Sequence, residues 1–487
     1  MADHNCASDG PCPVPPHPDK LKSIPESRDT PLRRRVSIDE GATRPFGLND
    51  GVLFPPPRPF EGSRRQAAEP QPPLRGPLNV LVVLTSFKKM AIRSGAAEYF
   101  RDLFFSKNKI TTGSVTEYYE EVSGGLVSIT GDIFGPYELP ETASYYCQDG
   151  YGFLNKAANM APDNPNTQTM AGHALDALLE DKPDIDLRPY DNQNRAKGTV
   201  DAFIVVHAGR GGEEKKGVPE RDIWSIKWVL KERQFVGKSN TGVYGFLTLP
   251  DDARTGVSAH EIGHLVFQWP DLYGTNPERG VGNWCLMSRG SWNKIEGSMP
   301  GDVPCHPSAW LKAQQGWVEV RKAKGSLKVL LNEVKATAKG TKTLPAANPK
   351  GVGGVYRLWS NGDEFSNEFF LIENRMRYGF DRSLGGEGLL IWHVQDNRDA
   401  QNPNRFKLVL LNADYQATGM PVSHEKYKDG PGTPFPGVKG NRSFTAKSTP
   451  NSRAYNGEDT FVSLTNISDA GQTMRVDLNV QSAKANL

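Results

Sequence analysis

Apolar and polar positions fall into three textures along this chain. Over the first 75 residues apolar runs are few and prolines frequent, 15 of the 37 in the chain. Such a stretch cannot bury enough surface to fold alone, and predicts a Pro-rich disordered tail, linker or pro-segment over residues 1–76. LNVLVVLTSF (78–87) then brings the continuous apolar run of a buried strand. SGAAEYFRDLFFS (94–106), SVTEYYEEVS (114–123) with its Ser cap, and MAGHALDALLED (170–181) carry helical spacing. LVSITGDIFG (126–135) reads as an edge strand and TVDAFIVVHAG (199–209) as a central one. Helices mixed with strands predict one α/β or α+β domain over 77–321. After GWVEV (316–320) come GSLKVLLNEV, GGVYRLWS, EFFLIENR, EGLLIWHV and FKLVLLNA, short strand-like segments separated by turn residues. They predict an all-β, sandwich-like domain over 322–487.

Length and charge narrow the function classes. At 487 residues the chain is long enough for two or three domains. A formal charge of +2 gives no broad electrostatic reason to expect nucleic acid or a membrane surface as partner. No apolar run approaches the ~20 residues of a membrane span. The N-terminus, MADHNCASDGPCPVPPHPDK, lacks the basic start and apolar core of a secretory signal, so taken literally the chain starts in the cytosol. Cys285 and Cys305 bracket a Gly/Pro-rich loop, and either form a disulfide or stay as free thiols.

SAHEIGHLVFQWPDLYG (258–274) carries the chemistry. Positions i and i+4 share a helix face, so His260 and His264 present two imidazoles to one point, as a tetrahedral zinc requires. Glu261 stands beside the first of them, within reach of a water at the metal without displacing a ligand. The bland alternative is two histidines sharing a helix face. Pro270 forbids helical continuation and biases Trp269 to an extended conformation, so the helix should stop near Phe267 or Gln268. Asp271 follows on the exit turn, where it is either a third ligand or a turn residue.

HEIGHLVFQWPDLYG resembles the active-site segment of the M6 metallopeptidases, the immune-inhibitor-A-like branch of the metzincins. Many of these read H-E-x-G-H-L-x-F-G-x-P-D-L-Y-D; this chain departs at Gln268, where Gly is usual, and at Gly274, where Asp is usual. A Gly at 268 would ease a turn of positive φ, which Gln adopts only with strain. NWCLMSRGSW (283–292) resembles the Met-turn, and PCHPSAWLKAQQGW (304–317) the segment that closes the catalytic domain. GSVTEYYEEVSGGLVSITGDIFG, DAFIVVHAG, DIWSIKW and the downstream FFLIENRMRYGFDRSLGGEGLLIWHVQD also match family segments in order.

The resemblance implies one catalytic zinc held by His260, His264 and Asp271, with Met287 as an apolar floor beneath it, unless Met287 is ordinary core packing. It implies an endopeptidase acting on proteins or peptides, in which Glu261 is the general base toward a metal-activated water. It also implies secretion, against the cytosolic start read literally. The alternative is a catalytically weak or inactive relative that binds protein or glycan, its zinc structural. Calcium sites are common in the family, yet no Asp-rich loop of recognisable spacing appears here. His306 is either a structural turn or part of a loop over the site; Glu278 or Glu296 would suit a different ligand class; Tyr273 either packs or reaches the metal's surroundings. Cys6 or Cys12 either cap the zinc, with LRRRVS (32–37) as a cleavage region, or are incidental.

Overall fold

A computed structural model describes residues 14–17, 20, 73–153, 165–194, 198–236, 241–273, 280–323, 325–332, 354–363, 365–396, 407–414 and 429–481. Cys6, Cys12, LRRRVS, Gly274 and Glu278 lie outside them. The chain divides into two compact units, one of Cys6–Tyr119 and Val127–Pro270, the other of Met1–Asn5, Glu120–Leu126 and Asp271–Leu487. Helices and sheets are mixed, an α+β architecture.

In the first unit, β1 (Gly76–Ser86), β2 (Val127–Glu138), β3 (Phe203–His207), β4 (Lys227–Val236) and β5 (Thr241–Pro250) make one sheet in the order β2-β1-β3-β5-β4. The four strands β2, β1, β3 and β5 are parallel, while β4 runs antiparallel at the edge. β3 and β5 are buried along their whole length, which matches the continuous apolar runs expected of strands covered on both faces. The edge position of β2 and the central position of β3 follow their sequence patterns. β4 and β5 escape the pattern reading, since KWVLKERQFV mixes five charges or amides into a strand and TGVYGFLTLP carries two glycines.

Helices α1 (Ala96–Phe105), α2 (Val115–Val122), α3 (Ala143–Cys147), α4 (Thr167–Asp181) and α5 (Thr255–Phe267) accompany this sheet in the sequence. α2 starts where its Ser predicts: Ser114 Oγ accepts from Glu117 N–H (3.3 Å), and the Glu117 carboxylate accepts from Ser114 N–H (2.9 Å), a reciprocal capping box. α5 follows β5 after four residues, and all 13 of its residues are buried.

In the second unit, α6 (Ala309–Gln314) precedes eight strands: β6 (Val320–Lys322), β7 (Gly325–Asn332), β8 (Val355–Trp359), β9 (Glu368–Arg375), β10 (Gly388–Gln395), β11 (Leu408–Leu411), β12 (Val462–Thr465) and β13 (Thr473–Val480). They form two sheets, β11-β10-β9-β8-β6 and β12-β13-β7, antiparallel except for the β6–β8 pair. Phe370, Ile372, Leu389 and Ile391 of the larger sheet share one buried core with Val462, Leu464, Met474, Val476 and Leu478 of the smaller.

A fully buried ion network also lies in this unit. Lys312 Nζ bonds Glu373 Oε2 at 2.9 Å, Arg375 reaches Glu373 at 3.3 Å, and Arg375 makes a two-pronged pair with Asp381 at 2.5 and 2.6 Å. Trp392 Nε1–H and Ala309 N–H complete the Glu373 carboxylate. Each charge buried here has a partner, as the desolvation cost demands.

Candidate active site

α5 owes its placement to contacts along both of its ends. Thr255 Oγ1–H donates to Gly113 O at 2.9 Å in the first turn. Tyr119, wholly buried, donates its hydroxyl to Ala259 O at 2.6 Å, next to His260. Burial holds the Tyr119 phenol well above its usual range, so it stays protonated and remains a donor. Its ring also packs 5.1 Å from that of Phe267.

The helix stops as Pro270 requires. Gln268 sits in the left-handed region at φ 57°, ψ 33°, and the N–H groups of Gln268 and Trp269 both donate back to Gly263 O. A Gln in that conformation costs roughly 1 kcal/mol relative to right-handed backbone. The reversal aims the Trp269 carbonyl back at the helix, where it lies 2.6 Å from His264 Nδ1. A carbonyl only accepts, so Nδ1 carries the proton and, in the neutral ring, Nε2 presents its lone pair.

That Nε2 lies 3.1 Å from His260 Nε2, with the two rings edge to face at 4.7 Å. Asp271 follows one residue after the Pro that ends the turn. His260, His264 and Asp271 each offer a ligand atom, and these atoms lie within 4.8 Å of one another; all three residues are buried. Two nitrogens about 2.05 Å from a tetrahedral ion would stand about 3.3 Å apart, so the spacing of the imidazoles fits a metal of zinc's size. The orienting bond from His264 Nδ1 to a backbone carbonyl is the support metal-ligating histidines usually have. Glu261 occupies the same helix, wholly buried.

The turn beyond the group is tied down from the segment that holds Met287. Leu272 N–H donates to Met287 O at 2.7 Å, and Val281 N–H to Leu272 O at 3.1 Å. Met287 itself is wholly buried, and Tyr273 is buried beside its bridge partner Gly280.

The remaining candidates go elsewhere. His306 belongs to the ion network: its Nε2 lies 2.9 Å from Glu121 Oε1, and its backbone N–H donates to Asp381. Glu296 is exposed and outside the His/Asp group. Cys285 and Cys305 are buried thiols not joined by a disulfide. Sequence reasoning missed Tyr119 and the Trp269 carbonyl as supports of the helix. A Tyr in a second helix carries no local signal, whereas the W-P pair after HExxH does mark an extended residue with a free carbonyl.

Residues 84–318 match the profile of the family described as Immune inhibitor A peptidase M6, catalytic domain. This part of the chain belongs to the M6 peptidase family. The chain is 31% identical over 246 residues to the pre-pro-metalloprotease PrtV of Vibrio cholerae, covering 44% of this chain and 25% of that protein. It is 29% identical over 209 residues to Immune inhibitor A of Bacillus thuringiensis subsp. alesti, covering 38% of this chain and 29% of that protein. The aligned part thus spans between a quarter and a third of the length of these relatives. The M6 match contains α5, the His/Asp group and the Met287 segment. Among the described residues, no helix is long and apolar enough to cross a membrane.

Proposed function

We propose that the chain is a zinc-dependent endopeptidase in which His260, His264 and Asp271 hold the ion and Glu261 is the general base. The observation that carries this reading is the buried convergence of two oriented imidazoles and a carboxylate on an HExxH helix inside an M6 match. A bound zinc supplies Lewis acidity there, acidifying water toward neutral pH and polarising a peptide carbonyl. Glu261 takes a proton from the water whose oxygen attacks the carbonyl carbon, then delivers it to the amine nitrogen as the C–N bond breaks. The buried surroundings of Glu261 strengthen its interaction with that proton relative to bulk water. His264 keeps its ligand nitrogen aimed through the Trp269 carbonyl, and the buried Met287 serves as the apolar floor of the Met-turn.

Around this centre, residues 1–76 serve as a Pro-rich tail or pro-segment, 77–321 as the catalytic domain, and 322–487 as a sandwich-like accessory domain for protein or glycan contact. The two sheets that share one core support the sandwich reading. Secretion is inferred from the similarity to PrtV of Vibrio cholerae, a pre-pro-metalloprotease.

Metal analysis paired with casein cleavage, with and without a chelator, tests the reading. One zinc per chain and chelator-sensitive cleavage are expected. A chain that holds zinc but cleaves nothing, with or without its first 75 residues, would turn the reading into the inactive, binding relative.

A further inference from the structure

Part of the Pro-rich N-terminal stretch is built into the first unit. Val14, Pro15, Pro16, His17 and Lys20 are all buried, Lys20 to 3% of its surface. Their partners come from the loop between β3 and β4. Val14 N–H donates to Ser225 O at 3.3 Å, Trp224 Nε1–H donates back to Val14 O at 2.8 Å, and His17 N–H donates to Glu213 O at 3.0 Å. The prolines restrict this segment to extended backbone before it docks, which lowers the entropy lost on binding.

Lys20 ends the contact in a cage. Its ammonium donates to the carbonyls of Gly212 and Gly217 and to Tyr151 Oη, and lies 4.8 Å from the Tyr151 ring centre and 4.9 Å from that of Trp224. Two aromatic faces around a desolvated cation form the arrangement that recognises ammonium groups. Burial lowers the Lys20 pKa to about 8, while Glu213, Asp222 and Glu214 pull it up, so the side chain remains mostly charged at neutral pH.

The loop is shaped for that cation. A Cβ at Gly212 would meet the Tyr151 ring at 2.6 Å, and one at Gly217 would meet Gly212 O at 2.4 Å, so only glycine lets both carbonyls close on one point. The buried Glu213 carboxylate accepts from Ser225 N–H and Oγ–H at 3.0 and 2.6 Å, and Gly212 N–H donates to Ile223 O at 2.7 Å. These bonds tie the two arms of the loop together.

We infer that residues 211–225, with Tyr151, form a peptide-docking groove that ends in a lysine cage, and that the chain's own residues 14–17 and Lys20 are its ligand. The segment stays bound without a covalent link once the chain is cut between residues 20 and 73. The inference stands on the first unit alone and is independent of the metal reading.

One cut tests it. A site-specific protease sequence replaces residues 40–46 of the full-length chain, which carries Glu261→Gln to prevent self-digestion. After cleavage, size-exclusion chromatography and mass spectrometry read whether the N-terminal fragment stays with the body. It is expected to co-elute, and Lys20→Met is expected to speed its release about tenfold, the scale of one desolvated cation–aromatic contact. Because Lys20 lies on the fragment, that variant leaves the folded body untouched. Excess synthetic peptide of residues 11–22 should displace the fragment, and the same peptide carrying Lys20→Met should need about tenfold more. A fragment that separates at once from the unsubstituted body, or a Lys20→Met fragment retained equally well, overturns the inference.

Discussion

Two buried polar clusters in this protein follow opposite electrostatic rules. At the end of α5, two imidazoles and a carboxylate turn ligand atoms toward one another within 4.8 Å. In the second unit, Lys312, Glu373, Arg375 and Asp381 alternate cation and anion, so each charge is answered by a neighbour. The second arrangement is complete in itself and holds strands and α6 in register. The first gathers electron-pair donors around a common point, which is how a chain prepares a place for a cation. Burial by itself therefore does not mark a reactive site; the pairing of what is buried does.

The largest effects expected fall on the first cluster. Glu261→Gln should lower casein cleavage by about three orders of magnitude while zinc per chain stays unchanged. Asp271→Ala should lose the zinc itself, read by metal analysis after dialysis; a metal-replete Asp271→Ala protein would sink the ligand assignment. Together the two variants separate a residue that moves a proton from one that holds an ion.

In the second cluster the expected loss is of stability. Lys312→Met leaves Glu373 charged and buried, and should cost about 3–5 kcal/mol in denaturant unfolding. Replacing both partners, Lys312→Met with Glu373→Leu, should recover much of that loss, since an apolar pair leaves no uncompensated charge. If the double variant is as unstable as the single one, the network does more than cancel charge.

Acid should distinguish the clusters as well. Burial pushes the Asp381 carboxyl up, but Arg375 and His306 outweigh it and bring the group down to about 2. A carboxylate with a lowered folded pKa contributes stability above its ordinary value near 4, and that contribution is lost as pH falls through about 2. Unfolding midpoints followed from pH 5 to pH 2 should therefore decline more in the unaltered chain than in an Asp381→Asn chain, whose baseline is already lower.

The smallest effects concern the supports of α5. Tyr119→Phe removes the hydrogen bond to Ala259 O and should cost about 1 kcal/mol. Gln268→Gly relieves left-handed strain but adds unfolded-state freedom, so stability should shift by less than about 1 kcal/mol. Both are read from unfolding curves. A Gln268→Gly chain stabilised by several kcal/mol would mean that the turn is far more strained than its dihedral angles imply.

The local features were legible in the sequence because they depend on neighbours along the chain. The i, i+4 placement of His260 and His264, the stop imposed by Pro270, the Ser114 cap and the apolar run of β1 each follow from a few consecutive residues. Chain order also exposed the edge and central roles of β2 and β3, through the difference between a mixed and an unbroken apolar pattern. What escaped depends on residues far apart. Tyr119 and Ala259 are 140 positions apart, Lys312 and Glu373 are 61, and Lys20 and Gly212 are 192. A lone buried Lys or Glu has no signature until its partner is in place, and the five docked residues of a Pro-rich stretch look like the rest of it. Sequence alone thus determined the helix, the face that carries His260 and His264, and the mixed character of helices and strands in the chain. Tertiary structure decided which buried charges are answered, where the N-terminal segment docks and how the Trp269 carbonyl orients His264, because each needs distant atoms at hydrogen-bond range.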